Sequence, residues 1–489
     1  MRHPAARSPA TPLLLLVSVA IGAACSADKP SAPQGAAVDL CHLTGTAGAI
    51  ISVAASEVTA HRSHGDYLTS LTVNQDPAMA TDSQHFRRIG DAVAVARTGR
   101  LARGEQLAAA CRITIAVAAG QFRGDVKDGG DPTLERFPII IDVPDITLQG
   151  ALQMQVATNG RALGTGVRGV ETWLTPVAPL QIEGGASSQT GASTPVIIAN
   201  AHPSGSAGNG LAVQGFVFQS GHFGVDTLAG GQGVSSMRVK NLVIHGNRFE
   251  AGFSESIDLR ASSASVTLNY LRGTRGSCDI CVAGPGDFQV ADNVLMAGGV
   301  PGIFVVPVLI LPVHALVEQY TLPTVALVTA TVTNNEVRDH LRKPIGVGIR
   351  IGAIGIGAPN VAGTSRVTAR SNSLINNGFG IIIDAAFPVA GSALRGDVDL
   401  TLADNIIQQS CQANLLVSFS RHTTALGLTN VVYSRGSTYA LTLGGNASWN
   451  DAWFRHPAAL GNSLMVDGQP IASGARAFYD AARTCVPLP

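Results

Sequence analysis

Asp226, Asp258 and Arg260 are the residues of this 489-residue chain whose types and spacing come nearest to acid/base chemistry. Each aspartate stands one residue past the apolar start of a short strand, in GVDTL and in SIDLR. On successive rungs of a stacked sheet the two carboxylates would lie about 5 Å apart. Like charges that close push one pKa up, and a separation near 5 Å is that of a retaining glycosidase pair. Arg260 would stabilise developing negative charge, with Glu255 and His222 at neighbouring corners. The plain alternative is that outward charges serve solubility and that Arg260 pairs with a neighbouring carboxylate.

A second set lies near the start of the chain, where Cys41-His42 is followed by His61-Arg62-Ser63-His64-Gly65-Asp66. Cys41, His42, His61 and His64 form a donor set that zinc accepts, and two histidines three apart share a helix turn. The competing reading is a disulfide between Cys41 and Cys111. The pattern resembles a short module of bacterial extracellular proteins. Asp125, Asp128 and Asp131 recur in a Gly-rich loop that offers calcium its oxygen ligands, but the EF-hand spacing is not met and a solvated loop is the default. Cys278-Asp279-Ile280-Cys281 lacks the helix start of a redox pair and reads as a corner disulfide or two packed thiols.

The elements that must position these groups are short strands in a repeat. Asn247, Asn269, Asn293, Asn335, Asn372 and Asn405 each end one strand, and a second strand follows at Ile257, Ile280, Ile303, Ile349, Ile381 and Leu415. Gly215 and Val225 read as an earlier copy, with Gly in place of Asn because both tolerate a left-handed corner. The spacing from Ile257 to Ile280 and from Ile280 to Ile303 is 23 residues, and the 46 from Ile303 to Ile349 reads as two turns. A period near 23 with two strands per turn and an Asn corner belongs to a solenoid. The stretch Gly298 to Leu316 reads as two buried rungs, because three prolines spoil a membrane helix.

On these features residues 86–440 resemble the pectin-lyase-like right-handed parallel β-helix superfamily. The implied fold is all-β: a right-handed parallel β-helix solenoid of about ten coils with an N-terminal capping helix. Phe86, Ile89, Val93 and Ala96 fall on one face of that helix, which Gly99 would end. Ile113 to Val117, Phe137 to Ile141 and Ile146 to Gly150 read as the first rungs. The resemblance implies polysaccharide chemistry on the outside of one sheet. The Asp-Asp and His-Gly pairing of polygalacturonases and the calcium-and-arginine set of pectate lyases are absent, so neither activity is assigned.

Residues 1–24 read as a signal peptide, with Arg2 and Arg7 before a short apolar core that ends in Gly22-Ala23-Ala24. Cys25 follows, as in a bacterial lipoprotein signal, which would lipidate it and anchor the chain through lipid alone. Residues 25–37 are then a tether, 38–75 a small Cys/His module, and 441–489 a C-terminal extension and cap. The implied location is extracytoplasmic: an outer-membrane or cell-surface lipoprotein, otherwise a secreted one. A net charge of zero, from 33 basic and 33 acidic residues, excludes a nucleic-acid-binding surface. With 46% hydrophobic residues the chain is not disordered. Two functions follow: a surface protein that binds or processes polysaccharide, or a structural or adhesive lipoprotein without glycan activity.

Overall fold

In the computed structural model the described residues run from 37 to 471 with gaps, of which 177–195, 220–231, 308–324 and 420–434 are the longest. The leader, Cys25, Asp226, Asp128 and Asp131 lie outside them. The chain winds into a right-handed parallel β-helix with three faces, formed by sheets of 14, 10 and 10 strands. Each full coil contributes a strand to the first, then the second, then the third sheet. Among the described residues the third sheet's ten strands mark ten coils, in agreement with the sequence expectation of about ten.

Alternation builds the first sheet. In Val325–Thr333, Ala326, Val328, Ala330 and Val332 point inward and are buried, while polar or exposed residues intervene. The same inward columns run through Val266, Val290, Val367 and Leu400, and hydrophobic burial along them supplies the main driving force. Aromatic residues fill the wider inner positions. Phe218 and Phe249 stack on consecutive rungs at 4.5 Å, and Phe419 stacks on Tyr439 at 4.0 Å.

The corner between the first and second sheets is an asparagine ladder. Asn247 donates from Nδ2 to Asn269 Oδ1 at 3.1 Å, and Asn269, Asn293 and Asn335 each donate to the next at 3.0 Å. Asn372 closes the run by donating to Asn405 at 2.9 Å. The left-handed residue is not the asparagine but the one before it: Gly246, Leu268, Asp292, Asn334, Ser371 and Asp404 all have φ between 53° and 61°. This corrects the alignment of Gly215 with the ladder. Val217 pairs with Arg248, so Phe216 stands opposite Asn247 and Gly215 fills the left-handed position. A second left-handed corner follows the second sheet at Gly273, Ala297, Asp339, Asn376 and Gln409.

The third sheet keeps the expected register, Ile257–Ile280–Ile303–Ile349–Ile381–Leu415. Ile303 pairs directly with Ile349, so the 46-residue interval is one turn with an insertion rather than two. Within Gly298 to Leu316 only Ile303–Val306 is a described strand. Gly302, Gly348 and Gly380 precede the inward isoleucines, where a Cβ would meet other atoms at 2.4, 2.7 and 2.5 Å.

The ends extend past the expected limits. Ser70–Val73 pairs with Ile113–Val117, and Thr438–Thr442, Ser463–Val466 and Gln469–Pro470 continue the first sheet. The helix Ile89–Leu101 buries Ile89, Ala92, Val93 and Ala96 against the first rungs and runs through Gly99 rather than ending there. Ahead of it, Ala37–Thr44 and Ala47–Ala54 form an antiparallel hairpin, followed by the short helix Val58–Ser63 and the strand Tyr67–Leu68.

Candidate functional site

The outward face of the third sheet holds Asp258 and Arg260, two of the three residues singled out for catalysis; Asp226 lies outside the described residues. Asp258 and Arg260 alternate outward on Glu255–Arg260, and every residue of that strand is buried. Arg260 Nε donates to Asp258 Oδ1 at 3.0 Å, its Nη2 donates to Asp258 Oδ2, and Glu255 Oε2 lies 3.9 Å from Nη2. Three rungs on, Arg350 donates to Asp384 from Nε at 3.3 Å and from Nη2 at 2.7 Å, while its Cζ lies 5.3 Å from the Phe304 ring centroid. Between the pairs lies a buried apolar patch of Cys278, Cys281, Ala283, Phe304 and Val306. A disulfide joins Cys278 and Cys281, as one of the two sequence readings held.

The register places Ser235, not Asp226, beside Asp258 on the preceding rung, and Cys281 beside it on the next. The expected adjacency of the two aspartates through Val225 and Ile257 therefore does not hold, because the rung before Ile257 is that of Val234. Asp258 has no accessible surface and both its oxygens accept from one guanidinium. A carboxylate so held is a fixed acceptor in a closed, charge-assisted pair.

The second sheet's outward face is partly exposed, with Arg272, Ile406 and Gln408 exposed and Arg248, Val294 and Glu336 buried. Its inward residues Phe249, Leu271, Leu295, Val337 and Leu374 are buried, and alternation turns their neighbours out. Arg248, Tyr270, Val294, Glu336, Ser373 and Ile406 form one outward column, and Arg272, Met296, Arg338, Ile375 and Gln408 the other. Arg248 sits 2.7 Å from Glu250 and 3.6 Å from Glu171, and Arg338 sits 3.3 Å from Glu336. Tyr270 is half-buried and donates to Met296 Sδ at 3.4 Å. Burial pushes its phenol up, against the opposing pull of Arg272, so it stays protonated at neutral pH. Ala162–Gly164, one arm of a small hairpin, runs alongside Tyr270–Arg272. Sequence reasoning missed this face. Its signal was the polar-apolar-polar pattern directly after Asn247, Asn269 and Asn335, as in Asn269-Tyr270-Leu271-Arg272.

The proposed metal set is rearranged. Cys41 is joined to Cys111 by a disulfide, which removes it from any zinc site and realises the competing reading. His42 and His61 instead converge on Asp66, each placing Nδ1 2.9 Å from Oδ2. Asp66 Oδ1 accepts the Leu43 N–H at 3.2 Å. Burial opposes ionisation of Asp66, but the bonds from His42, His61 and Leu43 outweigh it and hold the carboxyl below its usual range. His64 is exposed, because the helix ends at Ser63 and the chain turns through Gly65 at φ 91°.

No family model matches the chain, and no curated protein matches its sequence. Among solved structures it is similar to a double mutant of the periplasmic alginate epimerase AlgG, at 12% identity and a TM-score of 0.37, covering 73% of this chain and 67% of that one. It is also similar to a hyperthermoactive exopolygalacturonase from Thermotoga maritima, at 10% identity, 80% and 90% coverage and a TM-score of 0.39. A third likeness is to the catalytic domain of a GH87 alpha-1,3-glucanase, at 11% identity, 79% and 70% coverage and a TM-score of 0.35. These likenesses concern the fold.

Proposed function

We propose that the chain is an exported, lipid-anchored β-helix protein that binds polysaccharide along the outward face of its second sheet. The observation that carries this is Tyr270, half-buried among Arg248, Arg272, Glu250 and Met296, on a face that repeats once per coil. Sites for small and oligomeric ligands combine apolar surface with a few placed polar groups. Tyr270, Met296, Ile375 and Ile406 offer apolar surface to the C–H faces of sugar rings. The flanking guanidinium and carboxylate groups supply donors and acceptors for hydroxyls. Rungs about 4.8 Å apart present these groups as a linear track, the shape a polymer needs.

The test is affinity electrophoresis of the purified protein against a panel of polysaccharides. The wild type should be retarded by at least one, and Tyr270→Ala and Arg272→Ala should each weaken that retention about 10-fold, the scale of a ring-stacking or charge-assisted contact. A wild type indifferent to every polymer would leave the structural or adhesive reading. Catalysis through Asp226, Asp258 and Arg260 is the second proposal, favoured by the gathering of Glu255, Asp258 and Arg260 on one outward face. It requires that Asp226 act from outside the adjacent rung and that Asp258 become accessible, and it predicts reducing ends or unsaturated products from the same panel, lost in a folded Asp258→Asn variant. Anchoring through Cys25 predicts that the wild type partitions into detergent and that Cys25→Ala does not.

A further inference from the structure

We infer that His42, His61 and Asp66 form a binding site for one zinc-class divalent cation. Three elements deliver the donors: the first hairpin strand carries His42, the short helix His61, and the loop before Tyr67–Leu68 Asp66. The side chain of Asp66 is 1% exposed, whereas those of His42 and His61 are 39% and 29% exposed. The anion is thus fixed inside and the imidazoles form the entrance. Backbone pairing of Cys41 with Tyr67, the Cys41–Cys111 disulfide and the Leu43 N–H on Asp66 Oδ1 fix the geometry before any ion arrives. Such preorganisation is what a ligand set needs from its surroundings.

The distances suit a small tetrahedral ion. Without metal, each Nδ1 carries a proton directed at Oδ2. With metal, each imidazole moves that proton to Nε2 and binds through Nδ1, so neither histidine changes charge. Bonds of about 2.0–2.1 Å at tetrahedral angles set donors about 3.3 Å apart. The histidine nitrogens stand 2.9 Å from Oδ2, and all three donor atoms lie within 4.8 Å of one another. Each nitrogen–oxygen contact would open by about 0.4 Å and the two imidazoles would adjust to the same spacing, with the fourth position left to solvent. Two imidazoles and one carboxylate favour zinc or its borderline neighbours over calcium or magnesium, which prefer oxygen alone. The other clustered set, Glu255 with Cys278 and Cys281, is fully buried and its sulfurs are joined to each other. The bound ion would pin the helix to the hairpin ahead of the solenoid.

The experiment uses the full chain, stripped with a chelator and titrated with Co2+ and then with Zn2+ in competition with a chromophoric chelator. The expected result is one equivalent of Co2+ with the intense visible absorption of a tetrahedral site, displaced by Zn2+, and a thermal midpoint that rises with Zn2+. His42→Ala and His61→Gln, both at half-exposed positions, should each weaken binding at least about 10-fold and abolish the thermal shift. His64→Ala should bind within about 2-fold of wild type. Asp66→Asn keeps an acceptor for Leu43, and with an unchanged far-UV spectrum should also lose at least about 10-fold. Absence of stoichiometric binding, unchanged affinity in His42→Ala and His61→Gln, or an equal loss in His64→Ala would overturn the assignment.

Discussion

Asn293 shows how one residue type holds a solenoid corner. Its amide donates to Val266 O at 2.8 Å and to Asn335 Oδ1 at 3.0 Å, and its Oδ1 accepts from Asn269 N and Nδ2. Replacement by Leu leaves the Asn269 N–H buried without the Asn293 acceptor and takes the side-chain donor from Val266 O, at about 1–3 kcal/mol for the buried N–H alone. Urea unfolding of Asn293→Leu should therefore show a stability loss of at least about 2 kcal/mol, and a loss under 0.5 kcal/mol would refute the ladder's energetic role. The buried pair Arg350–Asp384 makes a sharper residue-scale contrast. Asp384→Ala takes both charge-assisted bonds from a buried guanidinium and should cost about 3–5 kcal/mol, whereas Arg350→Met with Asp384→Leu should be nearly neutral. The ladder was legible in sequence because one amide recurs at one place. The left-handed position beside it was less legible: Gly246, Asp292, Asn334 and Asp404 are types that tolerate positive φ, but Leu268 and Ser371 are not. The donor role of Asp66 was hidden for a similar reason: a helix of only six residues releases His64 from the face that carries His61.

At the scale of elements, the capping helix depends on a residue far along the chain. Glu135 accepts the Ile89 N–H at 2.6 Å and the Gly90 N–H at 3.2 Å, so it caps the helix from another strand. No local rule finds a cap across 46 residues, although the apolar face of the helix was plain in Ile89, Val93 and Ala96. Burial pushes the Glu135 carboxyl above its model-compound value of 4.5, despite the N–H groups that pull it down. The folded state then holds its proton more tightly than the unfolded chain. Its contribution is fully present below pH 4.5 and is lost as pH rises through the elevated folded pKa. Glu135→Gln keeps an acceptor and removes the charge. Its stability should lack that decline, measured as the unfolding midpoint between pH 4.5 and 8 relative to wild type. The Cys41–Cys111 disulfide ties the hairpin to the first rung across 70 residues. Replacing both cysteines with serine should cost about 4 kcal/mol on loop-closure grounds, read in the same unfolding assay.

The whole molecule is a stack whose register could be read wherever loops are short and was lost where they are long. Insertions outside the stacked strands add little closure entropy, so their lengths are unconstrained and erase the 23-residue period. That is why Val225 was mistaken for the position of Val234, and why the interval before Ile349 was counted as two coils. A stack of parallel strands also has two open ends, each a template for pairing with another chain. The N-terminal end is closed by the helix. At the other end Ser463–Val466 turns through Asp467 and Gly468, both with positive φ, into the antiparallel strand Gln469–Pro470. Ile471 donates its N–H inward to Leu464 O at 2.9 Å, so the nitrogen one residue earlier points to the edge that no described strand covers. That residue is Pro470, which is exposed and has no N–H to offer. Pro470→Val would restore an outward donor on a strand otherwise unchanged. The variant should keep the wild-type unfolding midpoint yet self-associate with rising concentration, seen by sedimentation velocity as species larger than the wild type forms. If it matches the wild type in size at every concentration, the edge is protected by something other than the proline.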